Sequence, residues 1–320
     1  MKMPLVSIII PTYNREHLIG ETLNSVLAQT YTNWECLVID DGSADNTSSL
    51  LETYCKKDSR IQYHHRPKNQ PGGGNAARNY GFELSKGEYI NWFDSDDIML
   101  HEFIEKKINL ISSKKLKAII CSGYLTDSQL NILRPTKYFN DGNLFKEFTL
   151  RKSDILTPSI LFRKSALNST ELFNIGLTDG QETEFFHRFF FDLKNDEYKY
   201  IDEKLFLYRK HSNSIGSNKI GDYNFKNRFS QAYVEFENLK RIIKIGDREM
   251  INFVYKALLN LLFLTMDNKD NHTYNYILDG IRGYYKDIGV FNYMVLICYL
   301  KVVLNINMRS YRIEKMIRRR

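Results

Sequence analysis

The stretch that most constrains this chain is 88–97, which reads Glu-Tyr-Ile-Asn-Trp-Phe-Asp-Ser-Asp-Asp. Its first half, from Tyr89 to Phe93, is a run of aromatic, β-branched and apolar side chains with the length of a buried strand. The run stops at three carboxylates in four positions, Asp94, Asp96 and Asp97. Like charges that close repel, and burying them unpaired costs several kcal/mol or forces protonation. A divalent cation removes that cost. Hard oxygen ligands suit Mg²⁺ or Mn²⁺, which commonly keep one or two carboxylates beside substrate phosphates. The position fits too, because open α/β sheets bind ligands outside the carboxyl ends of their strands. Taken by residues alone, the same turn reads equally as an acidic cap on a following helix, with Asp97 as N-cap.

Short apolar runs and helix-period segments alternate around this stretch. Strands are predicted over residues 5–10, 37–39, 61–65, 89–93 and 118–121, and helices over about 16–29, 47–57, 75–85 and 100–112. Such alternation predicts an α/β fold built of βαβ units with a mainly parallel sheet. Beyond Ser122 it weakens. Residues 124–152 read as an irregular or antiparallel excursion, 159–162 as a strand, 184–193 as a helix and 198–208 as an extended segment. From about Tyr223 the periodicity is wholly helical, with helices expected over about 225–243, 248–266, 273–285 and 291–305. We therefore expect one α/β domain over 1–220 and a helical C-terminal region over 221–320.

The net charge of +7 is uneven, since residues 309–320 hold six basic side chains against one acid and so carry +5 of it. The basicity is a property of the tail, which argues against a nucleic-acid-binding face on the main domain. Residues 291–305 form an apolar segment of about 15 residues broken by Lys301, short of the roughly 20 needed to span a bilayer. An interfacial helix followed by the basic tail predicts peripheral attachment to an anionic membrane surface on its cytoplasmic face. Cys36, Cys55, Cys121 and Cys298 lie far apart with no Cys-x-x-Cys spacing, which predicts buried free thiols and a reducing cytoplasm. The first ten residues are too short and too soon broken by Pro11 for a secretory signal.

Several acidic or glycine-rich turns follow predicted strands in one alternating domain. They are Pro11-Thr12-Tyr13-Asn14-Arg15, the run from Asp40-Asp41-Gly42-Ser43 to Thr47, Ala76-Ala77-Arg78-Asn79-x-Gly81, and Gly87-Glu88-Tyr89-Ile90 with Asp94-Ser95-Asp96-Asp97. Gly180-Gln181-Glu182 with Arg188 and Tyr208-Arg209-x-His211-x-x-Ser214 complete the set. In order and spacing these blocks resemble the family 2 glycosyltransferases with the GT-A fold, over about 4–215. The resemblance implies an inverting transferase that moves a sugar from a nucleotide-sugar, a UDP-sugar by preference, to a hydroxyl of a glycan or lipid-linked saccharide. It implies a Mg²⁺ or Mn²⁺ ion held by Asp94 and Asp96, with His211 as a further ligand to metal or diphosphate. It implies that Thr12, Tyr13, Arg15, Arg78, Asp94 and Ser95 face the donor, that Asp41 accepts a hydrogen bond from the base, and that Glu182 is the catalytic base. Here the chain departs from the family, which usually has Glu-Asp where this chain has Gln181-Glu182. Asp40 is the alternative turn-forming carboxylate beside Gly42, and the run Gly72-Gly73-Gly74 is either a phosphate-approaching backbone or a plain loop. Two other classes share parts of this pattern. A nucleotidyltransferase should carry a glycine-rich signature with a basic residue where Pro11-Thr12-Tyr13-Asn14 stands, and a non-catalytic sugar-nucleotide-binding module should lack a base.

Overall fold

The computed structural model describes residues 3–69, 71–111, 115–139, 141–168, 171–210, 223–306 and 310–319. In chain order the first elements are β1 (Val6–Thr12), α1 (Ile19–Leu27), β2 (Trp34–Asp40), α2 (Thr47–Lys57), β3 (Ile61–His65), α3 (Gly74–Leu84), β4 (Tyr89–Trp92) and β5 (Ile98–Met99). There follow α4 (Phe103–Leu110), β6 (Ala118–Thr126), β7 (Ile132–Pro135), α5 (Leu144–Thr149), β8 (Ile160–Arg163), α6 (Gln181–Asp192) and β9 (Tyr198–Arg209). The helices α7 (Phe225–Ile245), α8 (Arg248–Asp267), α9 (Asn271–Gly283), α10 (Tyr285–Ile288), α11 (Val290–Ile306) and α12 (Tyr311–Arg319) close the chain. Two compact units result. Residues 1–176 and 185–218 form the first, and residues 177–184 and 219–320 the second.

The first unit is a mixed sheet in the order β3-β2-β1-β4-β8-β6-β9-β5, with β7 on the side of β6. Strands β3, β2, β1 and β4 are parallel, as the alternation predicts, whereas β8 runs antiparallel to both β4 and β6. β1 lies between β2 and β4, so its apolar residues Val6, Ile8, Ile9 and Ile10 are fully buried. That is why the strand reads as a continuous apolar run and not as an alternating one. α3 packs on β1 and β2 at Gly81, where a Cβ would stand 2.4 Å from Ile9 Cγ2. Only glycine allows that approach. Trp92, at the end of β4, meets the rings of Phe162, Phe173 and Phe185 at centroid distances of 5.3, 5.0 and 5.5 Å. This aromatic cluster anchors the strand just ahead of its acidic turn.

Three local differences from expectation have simple causes. Asp97 does not cap a helix, because β5 follows it and α4 begins only at Phe103, after Glu102. Within 124–152 there is one unforeseen helix, α5, whose six residues are too few for a periodic signal; Asn143 caps it by accepting from Lys146 N–H at 2.9 Å. Cys36 and Cys121 are buried as expected, but Cys55 is half-buried and Cys298 is exposed on α11.

In the second unit α8 supplies the core. Met250, Ile251, Val254, Tyr255, Leu258, Leu259, Leu262 and Phe263 are buried along its length. α8 is also long and apolar enough to cross a membrane by length and composition, yet half of that stretch is buried inside the protein. Asn224, Asp247 and Asp270 cap α7, α8 and α9, each accepting a hydrogen bond from a backbone N–H three residues on. Within the basic tail, α12 runs from Tyr311 to Arg319. Glu314 of α12 is buried and accepts from Tyr299 of α11 at 2.9 Å.

Candidate active site

In the parallel half of the sheet the strand order turns back at β1, with β2 on one side and β4 on the other. Ligands of such sheets bind in the crevice outside the carboxyl ends of the strands at this switch point. Residues 12–15 leave β1 here, Asp40 and Asp41 leave β2, and 94–97 follow β4. Sequence-distant motifs are thereby brought to one edge.

The two carboxylates after β2 do different work. Asp40 is buried, and its Oδ1 accepts from Gly42 N–H at 3.1 Å, Ser43 N–H at 2.8 Å and Ser43 O–H at 2.7 Å. Its Oδ2 accepts from Tyr63 O–H at 2.8 Å. Asp40 is therefore the turn-forming carboxylate. Asp41 faces the loop before α3, where it pairs with the Arg66 guanidinium and accepts from Gly73 N–H at 2.6 Å. Gly73 has φ +119°, a backbone conformation that L side chains rarely adopt, so the glycine run positions an amide toward Asp41.

The turn after β1 is pinned from the same side. Asn14, at φ +52°, donates its N–H to Ser43 Oγ at 2.9 Å and accepts from Ala44 N–H at 2.8 Å. Arg15 N–H donates to Thr47 Oγ1 at 2.9 Å, and its guanidinium stands 3.8 Å from Asp96. Tyr13 projects outward with 55% of its surface exposed, whereas Thr12 is buried with no hydrogen-bond partner for its hydroxyl among the described residues. From α3, Arg78 reaches Asp94 with Nη2 at 2.8 Å from Oδ1. Asp94 and Asp96 thus each face an arginine from a different element, and both carboxylates keep part of their surface open. Ser95 between them is buried.

Asp97 is fully buried. Its Oδ1 accepts from Arg209 N–H at 2.9 Å, while Oδ2 has no hydrogen-bond partner among the described residues. Burial first, and then the charges of Asp94 and Asp96, push its carboxyl well above the usual range. Arg209, which the motif contained but whose role no sequence rule exposed, holds the turn together. Its Nε donates to Asp96 O at 2.8 Å, Nη1 to Ser128 O at 2.9 Å, and Nη2 pairs with Glu21 on α1. Asp94, Asp96 and Asp97 put hard oxygen donors at one turn, with arginines beside Asp94 and Asp96, and carboxylate oxygens are the donor type a divalent cation takes. Among the described residues, no group of three His, Cys, Asp or Glu side chains converges to hold a metal ion. His211 lies outside the described residues.

Glu182 belongs to the second unit, on the first turn of α6. It is half-buried, whereas Glu184 is buried with the Arg241 guanidinium 3.8 Å away. Positions two apart on a helix do not share a face, and the two acids differ accordingly. Arg188 donates to the backbone carbonyls of Glu171 and Leu172, so this arginine ties down a loop of the first unit.

Comparison with known proteins bears on the family and the fold. The model of "Glycosyl transferase family 2" matches residues 7–173. An uncharacterized glycosyltransferase of Rickettsia typhi is 37% identical over 175 residues, 51% of this chain and 53% of the relative. This chain thus spans about half the length of that relative. Among solved structures, Staphylococcus aureus TarS 1–349 in complex with UDP-GlcNAc superposes with a TM-score of 0.58 at 18% identity, covering 87% of this chain and 91% of that one. The mannosyltransferase PcManGT of Pyrobaculum calidifontis, in complex with GDP-Man and Mn²⁺, gives 0.53 at 15% identity, covering 99% and 84%. The fold is that of these transferases, and the chain belongs to glycosyl transferase family 2.

Proposed function

We propose that this protein transfers a sugar from a UDP-sugar to a hydroxyl of a glycan or lipid-linked saccharide, by one metal-assisted displacement that inverts the anomeric centre. The observation that carries this reading is the pair Asp94 and Asp96 at the switch point, each set against an arginine. A leaving diphosphate needs that combination of cation-holding carboxylates and fixed positive charge. Asp94 and Asp96 would hold Mg²⁺ or Mn²⁺, which supplies Lewis-acid stabilisation of the departing phosphate when bound. Arg15 and Arg78 then add positive charge for the diphosphate oxygens, and exposed Tyr13 offers a face on which a base can stack. Asp41 would accept from the base, exchanging its present contact with Gly73 or Arg66. Glu182 would take the acceptor proton. The complexes of TarS with UDP-GlcNAc and of PcManGT with GDP-Man and Mn²⁺ support a nucleotide-sugar donor and a divalent ion.

Incubation with a panel of UDP-, GDP- and dTDP-sugars in Mn²⁺ and in EDTA tests the reading through nucleotide release. Release from a UDP-sugar that requires the metal is expected; full turnover in EDTA would exclude a role for the metal. Transfer to a saccharide acceptor, followed by NMR, reads the anomeric outcome, and a retained configuration would overturn single displacement.

The membrane part of the reading rests on the last two helices. α11 exposes Phe291, Met294 and Val302, and α12 exposes Tyr311, Ile313 and Met316, with Lys301, Arg312 and Lys315 exposed among them. Apolar side chains rimmed by lysine and arginine suit an anionic interface, where each basic residue contributes about 1 kcal/mol. Because Glu314 and Ile317 of α12 are buried, deleting the tail would damage the unit. The double substitution Arg312→Glu with Lys315→Glu tests the surface more cleanly: it should release the protein from phosphatidylserine vesicles, and unchanged co-sedimentation would refute membrane docking.

A further inference from the structure

Residues 177–184 precede and begin α6 in sequence, yet they cluster with the helical unit. They carry the candidate base, Glu182, and one helix grips them. Thr178 N–H donates to Ser230 Oγ at 3.1 Å. Gln231 Nε2 donates to Asp179 Oδ2 at 2.6 Å, and Arg228 Nη1 holds the other end of that amide by donating to its Oε1 at 2.8 Å. Asp179 Oδ1 accepts from the next residue's N–H, Gly180, at 2.7 Å. Gly180 has φ +68°, and a Cβ there would come to 3.3 Å from Val234 Cγ2. The turn is thus both left-handed and pressed against α7. Gly180 O accepts from Glu184 N–H at 2.9 Å, closing the first turn of α6, and Glu184 faces Arg241 at 3.8 Å. Positions 230, 234 and 241 recur on one face of α7 at helical spacing and span roughly 16 Å of its length. Contacts along that face fix the segment 177–184, which has Glu182 near its end.

We infer that α7 is the positioning element for the catalytic base, and that the Arg228–Gln231–Asp179 relay sets the turn from which Glu182 is presented. Without that grip, the Gly180 turn and the start of α6 lose their reference. Gln231 and Asp179 are positioning residues and touch neither donor nor acceptor. The inference deepens the proposed function and rests on Glu182 being the base. A misplacement of about 1 Å at a catalytic group costs up to about 10²-fold in rate, so the effect should appear in kcat and not in donor binding.

The test reverses the direction of one hydrogen bond in the full chain. Gln231→Glu puts a carboxylate against Asp179, while Arg228 still orients it. It should lower kcat about 10- to 100-fold with the UDP dissociation constant and the donor KM unchanged. Adding Asp179→Asn restores a donor and an acceptor in the opposite sense. The new amide can donate to the carboxylate introduced at position 231 and still accept from Gly180 N–H. The double variant should return to within about threefold of wild-type kcat. Hydrogen exchange gives a readout free of activity: the amides of Gly180 and Glu184 should exchange faster in Gln231→Glu and recover in the double variant. Wild-type exchange and kcat in Gln231→Glu would overturn the relay, as would a double variant no better than the single one. The parent reading fails differently. Near-normal turnover in Glu182→Gln would remove the base assignment and with it the positioning role, whatever Gln231→Glu does.

Discussion

The turns after β2 and β4 each carry adjacent carboxylates at the same edge of one sheet, and they are built to opposite ends. In the first, Asp40 is saturated by four neutral donors, so its charge is dispersed into the turn that it shapes. In the second, Asp97 is as deeply buried but, among the described residues, receives one backbone N–H and leaves Oδ2 unmet, with two more carboxylates beside it. A satisfied buried carboxylate stabilises its turn. An unsatisfied one among like charges costs stability. In both turns the neighbouring carboxylates, Asp41 in one and Asp94 and Asp96 in the other, hold arginines. The difference is between a turn whose carboxylate is fully hydrogen-bonded and one that a bound cation would complete under the proposed function.

Substitutions that keep shape but remove charge should separate the two turns. The largest effect belongs to Asp96→Asn and Asp94→Asn. Turnover should fall about 10²–10³-fold, the range seen when one electrostatic stabiliser is lost, with little change in melting temperature. Near-wild-type turnover for both would make the β4 turn no more reactive than the β2 turn.

Asp40→Ala should act on stability instead. It orphans the Gly42, Ser43 and Tyr63 donors and should cost about 2–4 kcal/mol in urea unfolding. A variant as stable as wild type would dissolve the contrast from the other side.

Asp97→Asn should move stability slightly and in the opposite direction. The folded carboxyl is pushed up by burial and by Asp94 and Asp96, so its contribution is present below the unfolded pKa of about 3.9 and is lost as pH rises toward the folded value. In EDTA at pH 7 the asparagine variant should melt at or above wild type, by up to about 4 °C, and lose part of the decline with pH. Mn²⁺ should raise the melting temperature of wild type more than that of the variant. A sharp fall in melting temperature would mean that the carboxylate is fully compensated.

The smallest effect serves as a control away from both turns. Lys107 on α4 is fully buried, donates to Pro158 O at 3.3 Å, and burial lowers its pKa to about 8. The unfolded chain binds more protons between about pH 8 and 10.4, so stability should rise across that window. Lys107→Met should flatten that rise and change melting at pH 7 by about 2 °C or less, leaving turnover and the acid-side slope of Asp97 untouched. A changed acid-side slope would show that the pH behaviour assigned to the β4 turn is spread through the core.

Much of this contrast can be read from the chain, and the rest cannot for identifiable reasons. Continuous apolar runs announce β1, β2 and β4, because strands covered on both faces need no alternation. The Asp40-Asp41-Gly42-Ser43 run allows either carboxylate to form the turn; the structure gives that work to Asp40, whose Oδ1 gathers the N–H groups of Gly42 and Ser43. The four long C-terminal helices follow from period alone. Arg209 escapes such reasoning, since its contacts to Asp96, Ser128 and Glu21 join residues as far as 188 positions apart. The Arg66–Asp41 pair is hidden for the same reason. The grip of α7 on residues 177–184 is a tertiary choice between two units, to which local pattern is blind. Asp97 reads locally as a helix cap, but the short pairing of β5 with β9 takes the place of that helix.

Calorimetric titration of UDP into the full chain, in Mn²⁺ and again in EDTA, tests whether the β4 turn takes a cation together with UDP. If the β4 turn is completed by a cation that UDP shares, wild type should bind UDP at least tenfold more tightly in Mn²⁺, a difference of about 1.4 kcal/mol, and Asp96→Asn should bind equally weakly in both buffers. Equal UDP affinity of the wild type in Mn²⁺ and EDTA would contradict it.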